Sequence, residues 1–470
     1  MSDKHLTLGH YRWGLLVSRA ARYSAPRGEG VVALLKALLD RLGEWKELNE
    51  FLAAVTFLHE GVHILQDAST GVGHWDFWQT ANFLASNEFW RVRSPEERNG
   101  YYIGLAPRFV TFQQEHSLHS LRRLSNKRDL DYTGALVAEG ANSRWTGYFP
   151  WADFRIEDLL EGDAALYTVL ELRSLNSTAE ARIIMQENRA FYDPVELPRV
   201  YQRARILVER ALKHLASHPK FALAVDSMLD FVCDCAFAHP SPADLARSDL
   251  SLEDCYPTIK FFRLLDAFDK LSVEETGAFV NQLMIKLDSF AAEQILIADT
   301  PYHDMPRSKI YEGWRTCFQS SPVPQLQTIF DFRSEIARVR SQRRSPFDRQ
   351  TSARDAYLVP FIQMTPMGMN WDIPYPAGES DKFPEKAHEL FSSIMSFARD
   401  RMLLDAIADR QPYVCPIGEA RILCRAMTPT CTAGLEPIEQ AYPVPQDSRC
   451  SIWNGELQRE WRTAFRIPNE

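Results

Sequence analysis

Apolar positions recur at three- and four-residue intervals along much of the chain. The clearest run is Leu48, Phe51, Leu52, Val55, Leu58, Val62 and Leu65, a spacing that turns one apolar stripe toward a core. It predicts a helix from about Trp45 to Ser69-Thr70-Gly71, with Gly71 in the left-handed conformation that ends helices. Gly61, in the middle, costs up to about 1 kcal/mol of helicity relative to Ala and points to close approach of another backbone. A second apolar helix is predicted around Ile156, Leu159, Leu160, Ala164, Tyr167, Val169, Leu170 and Leu172. Further helices are expected at 31–42, 200–215, 221–238, 259–271, 274–290 and 386–410, and no repeat is visible. Residues 6–17 and 101–112, rich in aromatic and β-branched side chains, read as strands.

The first of these helices carries His59-Glu60-Gly61-Val62-His63, an HExxH segment. Four residues are a little over one helical turn, so both imidazoles leave the same face and can share one metal ion. Glu60 is rotated about 100° from His59, which puts its carboxylate beside that ion, in reach of a water molecule. The flanks are consistent with burial: Thr56, Phe57, Gly61, Val62, Ile64 and Leu65 are uncharged, and a charge here would compete for the metal or require solvation. With these flanks the segment resembles the HExxH zinc metallopeptidases, the zincins. That resemblance implies Zn2+ held by His59 and His63, Glu60 as general base, and a protein or peptide substrate. It also implies an α+β, predominantly helical fold in which a small edge sheet over the motif helix binds substrate by strand addition.

A catalytic zinc needs a third protein ligand and an open position. Metzincins place Gly three and His or Asp six residues after the second His; Gln66 and Ser69 stand there, which excludes that class. Gluzincins take a Glu from a later helix, followed by small residues that let it pack close. Leu160-Glu161-Gly162-Asp163-Ala164-Ala165 and Ala138-Glu139-Gly140-Ala141-Asn142 both fit. Glu161 is preferred, because a carboxylate in so apolar a helix needs a partner; Glu139 is the alternative. The interval from His63 to Glu161 is longer than most gluzincins use. The resemblance also implies a donor to the oxyanion, for which His74, Tyr148 and Tyr167 are candidates. Asp67, four residues after His63, is a candidate partner for a ligand imidazole. The stretch Gln66-Asp67-Ala68-Ser69-Thr70-Gly71 is similar to that of a group of uncharacterised bacterial HExxH proteins.

At 470 residues and 45% hydrophobic, the chain exceeds what a single core usually organises. The expected division is a zincin-like catalytic domain at 1–197, a helical lobe at 198–337, a basic linker at 338–356 and a C-terminal region at 357–470. The linker reading rests on Arg338, Arg340, Arg343, Arg344, Arg349 and Arg354. A net charge of -9 spread along the chain argues against binding to the nucleic-acid backbone. No apolar run of about 18 residues and no signal-peptide core is seen, so a cytoplasmic protein without a membrane partner is expected. Eight cysteines in so long a chain fit reduced thiols. Cys233 and Cys235 read as core, and Cys415, Cys424, Cys431 and Cys450 lack the CxxC pairing of a zinc knuckle. Two other functions remain open. Glu60 and His63 with Glu385 and His388 could build a di-iron or di-manganese centre bridged by Glu139 and Glu161. A zincin-like module could also keep its metal without catalysis.

Overall fold

The computed structural model describes residues 9–12, 17–20, 59–60, 62–63, 65–78, 81, 154, 156–174, 199–217, 219–250, 253–285, 289–320, 327–342, 361–365 and 368–372. Helices dominate these residues: α1 (Ile156–Ser174), α2 (Arg199–Ala211), α3 (Phe221–Phe237), α4 (Pro242–Arg247), α5 (Pro257–Lys270), α6 (Val273–Ile285), α7 (Ser289–Ile297), α8 (Arg307–Gln319) and α9 (Gln327–Gln342). The expected predominance of helix is therefore seen. Of the stretch 274–290, which reads as one helix, α6 covers the part up to Ile285 and α7 begins at Ser289, with 286–288 outside the described residues. The predicted helices at 31–42 and 386–410, the strand at 101–112, Gly61, Glu139, Tyr148, Glu385, His388 and the four C-terminal cysteines lie outside the described residues.

α3 is the axis of the packing. Residues 224–229 and 231–237 are all buried, mostly apolar but with Asp226 and Asp234 buried in ion pairs, and α1, α2, α5 and α6 all contact the helix. Cys233 and Cys235 belong to this core as free thiols. One continuous cluster runs from Phe154, Leu159 and Leu166 through Leu229 and Phe261 to Tyr302, so the expected boundary at 197/198 is not a break in the packing. Local signals set the helix starts: Ser241 accepts from the Asp244 amide with Pro242 in the first turn of α4, and Pro257 opens α5. α9 continues through residue 342 into the stretch read as a linker, because Arg340 turns inward to an ion pair with buried Asp234.

Four short strands, β1 (Gly9–Arg12), β2 (Val17–Ala20), β3 (Phe361–Thr365) and β4 (Gly368–Asp372), form one sheet in that order. β1 and β2 pair antiparallel, as do β3 and β4, while β2 runs parallel to β3 with Val17 opposite Ile362. β1 falls within the predicted 6–17 strand; β3 and β4 come from the C-terminal region, for which the pattern predicts no strand. None of the described helices is long and apolar enough to cross a membrane.

The helix bearing the two histidines is seen from residue 59 and bends at Thr70, and a helical segment then follows at 71–78. Gly71 therefore does not end it. Thr70 carries the bend: its hydroxyl donates to the Gln66 carbonyl at 2.6 Å and accepts from the Gly73 amide at 3.1 Å. Gly71 is needed for close approach, since a Cβ there would sit 2.2 Å from the His239 amide nitrogen; one on Gly73 would sit 1.8 Å from the Asp67 carbonyl oxygen.

Candidate metal centre

His59 and His63 lie one turn apart with ring centroids 4.8 Å from each other, and α1 brings Glu161 across them. Glu161 Oε2 stands 2.9 Å from His59 Nε2 and 3.5 Å from His63 Nε2. The three side chains are the one group of metal-ligating type found among the described residues, their donor atoms within 4.8 Å of one another. Donors about 2.0–2.1 Å from a tetrahedral zinc lie roughly 3.3 Å apart, so the two measured separations bracket the edge of such a site. Glu161 keeps 30% of its side chain exposed while His63 keeps 9%, so solvent reaches the group mainly at the carboxylate.

The neighbours tune these groups. Burial opposes charge on Glu161, but hydrogen bonds from His59 and His63 outweigh it and hold the carboxyl well below its usual range. Burial likewise opposes charge on His63, yet Glu161 overrides it and carries the imidazole up to about 9. For His59 burial prevails and the shift is downward. Glu60 is buried, and its Oε2 has no hydrogen-bond partner among the described residues. Burial raises it to about 7, with His63 pulling down and Glu161 pushing up. An unpaired buried carboxylate is costly unless something polar belongs beside it.

The packing explains why α1 delivers Glu161. Val62 from the motif helix, Ala164 and Tyr167 form a small buried cluster. Gly162 serves the other side: a Cβ there would be 3.2 Å from that of Ala204, so this glycine admits α2 rather than the motif helix. α1 and α2 are also tied by Arg203 to Asp158 at 3.2 Å.

His59, His63, Glu161 and Glu60 thus come together. Of the three candidates for an oxyanion donor, the two among the described residues are engaged elsewhere. Tyr167 is buried with its hydroxyl donating to Asp230. His74 is fully enclosed by Tyr311, Trp314 and Phe318, with Arg333 3.5 Å from its Nδ1. Asp67 lies against Arg333, which donates to its carbonyl at 3.1 Å and approaches its carboxylate at 3.5 Å. It is Gln66 that pairs with His63 Nδ1, at 2.8 Å.

Tyr201 is a site neighbour that the sequence reading does not single out. It opens α2 with its ring edge-on to His59 at 5.5 Å, and burial, then the charges of Glu161 and Glu60, push its hydroxyl up to about 12. It is therefore a protonated donor at neutral pH. No local sequence signal marks it, because its place beside His59 depends on the packing of α2 along α1. The chain matches no protein-family model, no curated protein and no solved structure.

Proposed function

We propose that this chain is a zinc-dependent metallopeptidase of gluzincin-like type, acting on peptide bonds of a protein substrate in the cytoplasm. The observation that carries the reading is the convergence of His59, His63 and Glu161 beside a buried, unpartnered carboxylate oxygen of Glu60. The donor set fits zinc: two imidazoles and one carboxylate are the kind of three-ligand set with which a catalytic zinc keeps its fourth position for water or substrate. Bound there, zinc would supply Lewis acidity toward a scissile carbonyl and a water molecule.

The remaining work falls to the chain. Glu60, buried beside the ligand group with its Oε2 without a partner among the described residues, would take a proton from water and return it to the leaving amine nitrogen. Tyr201, neutral beside His59, would donate a hydrogen bond to the carbonyl oxygen as negative charge develops on it.

Elemental analysis of the purified chain beside Glu161→Ala and Glu139→Ala, with cleavage of a peptide library, tests this. The expected result is about one zinc per chain in wild type and in Glu139→Ala, with loss of metal and cleavage in Glu161→Ala. Wild-type protein that takes up no zinc when supplied with it would overturn the proposal. Iron or manganese in place of zinc would favour the dinuclear alternative, although that arrangement leaves His59 without a role.

A further inference from the structure

We infer that Gln66, clamped by α1, is the positioning residue that fixes which nitrogen of His63 is offered to the metal; this rests on the metal-site reading above. Gln66 lies one turn beyond His63 and is fully buried. Its amide nitrogen donates twice across to α1, to the Leu160 carbonyl at 3.1 Å and to Asp163 Oδ2 at 2.6 Å. A backbone carbonyl can only accept, so the amide cannot turn round without losing that bond and facing oxygen to oxygen.

With the nitrogen so committed, Gln66 Oε1 faces His63 Nδ1 at 2.8 Å. An amide oxygen is also acceptor only, hence Nδ1 must carry a hydrogen. His63 therefore keeps a proton on Nδ1 whatever the state of Nε2, and once Nε2 gives up its own proton it is the Nε2 lone pair that is presented. Nε2 is the atom that faces Glu161, and it is the one the cluster needs. The chain of donors and acceptors thus runs from α1 through the motif helix to a ligand nitrogen. Both ends of the clamp flank Glu161, so the residues that deliver the third ligand also orient the second.

The experiment uses the full chain in wild type, Gln66→Met, Gln66→Glu and Asp163→Ala. One readout is the Nδ1 proton of His63 in metal-free, 15N-histidine-labelled protein, assigned by its absence in His63→Ala. The other is zinc affinity by competition with a chromophoric chelator. In wild type the proton should exchange slowly with water. In Gln66→Met it should be lost to fast exchange and zinc affinity should drop roughly 10–100-fold, the usual effect of removing such a partner. Gln66→Glu, which can still accept from Nδ1 but sets an oxygen against the Leu160 carbonyl and Asp163, should keep the proton protected while regaining only part of the zinc affinity. Asp163→Ala, which leaves the Leu160 carbonyl in place, should fall between. Zinc affinity within twofold of wild type and a still-protected Nδ1 proton in Gln66→Met would overturn the inference while leaving the metallopeptidase reading intact. A protected proton lost in Gln66→Met, in a protein that takes no zinc, would sustain the orientation and overturn the metallopeptidase reading.

Discussion

Glu60 and Tyr201 both neighbour the imidazole pair and are separable by what their loss removes. Glu60 is no part of the ligand group, so Glu60→Gln keeps the buried shape and leaves three ligands in place. On the proposed mechanism it removes the group that takes the water's proton. The expected outcome is zinc content equal to wild type with kcat lowered roughly 10²–10⁴-fold, measured by elemental analysis and peptide cleavage; a variant that still cleaves at wild-type rate would remove Glu60 from the chemistry. Tyr201→Phe keeps the ring against His59 and deletes only the hydroxyl. Because such a donor acts on developing charge, kcat should fall on the order of 10²-fold or more with KM little changed. Equal changes in both constants would instead mean that Tyr201 shapes binding.

At the scale of elements, much of the site is legible in the sequence because the period of an α-helix fixes it: His59, Glu60 and His63 need only local helical geometry. Glu161 is reachable by asking what could neutralise a carboxylate in an apolar helix. Tyr201 and Gln66 are not, since their roles depend on how α1 packs against its neighbours, which no local pattern records. Gly71 shows the same limit. Its position after a helical stripe suggests a terminator, whereas the structure uses the missing Cβ to admit the His239 backbone. Gly71→Ala should therefore lower stability by about 1–3 kcal/mol or more through overpacking. Gly277, exposed in α6 with nothing within 4 Å of the place a methyl group would take, provides the contrast. Gly277→Ala should raise stability by about 0.5–1 kcal/mol. Urea midpoints for the two variants check the pair, and a neutral Gly71→Ala would mean that the bend yields easily.

Across the whole molecule, buried charge rather than sequence proximity ties the motif to the later helices. Arg333 on α9 is 1% exposed, donates to the Asp67 and Gly73 carbonyls on either side of the bend, and lies 4.2 Å over the Phe77 ring. Asp234 on α3 takes both Arg307 and Arg340, and Arg307 also reaches Glu293 on α7 at 3.2 Å. Within this frame two histidines are held neutral. Burial, then the charges of Arg333 and Arg340, keeps His74 well below its ordinary value. Burial takes His239 down to about 3, with the Pro240 carbonyl that accepts from its Nδ1 opposing and Lys260 adding to the shift. The unfolded chain protonates such a histidine near 6.5, while the folded chain does not until about 3, so the unfolded state binds more protons throughout that window. Stability contributed by a neutral His239 is thus complete above about 6.5 and declines as pH falls toward about 3, by up to about 1.4 kcal/mol per pH unit. His239→Gln, which keeps a donor for the Pro240 carbonyl but cannot titrate, should show a shallower loss than wild type between pH 6 and 4. Urea unfolding across that range measures the difference in slope, and parallel curves would show that His239 does not couple folding to pH.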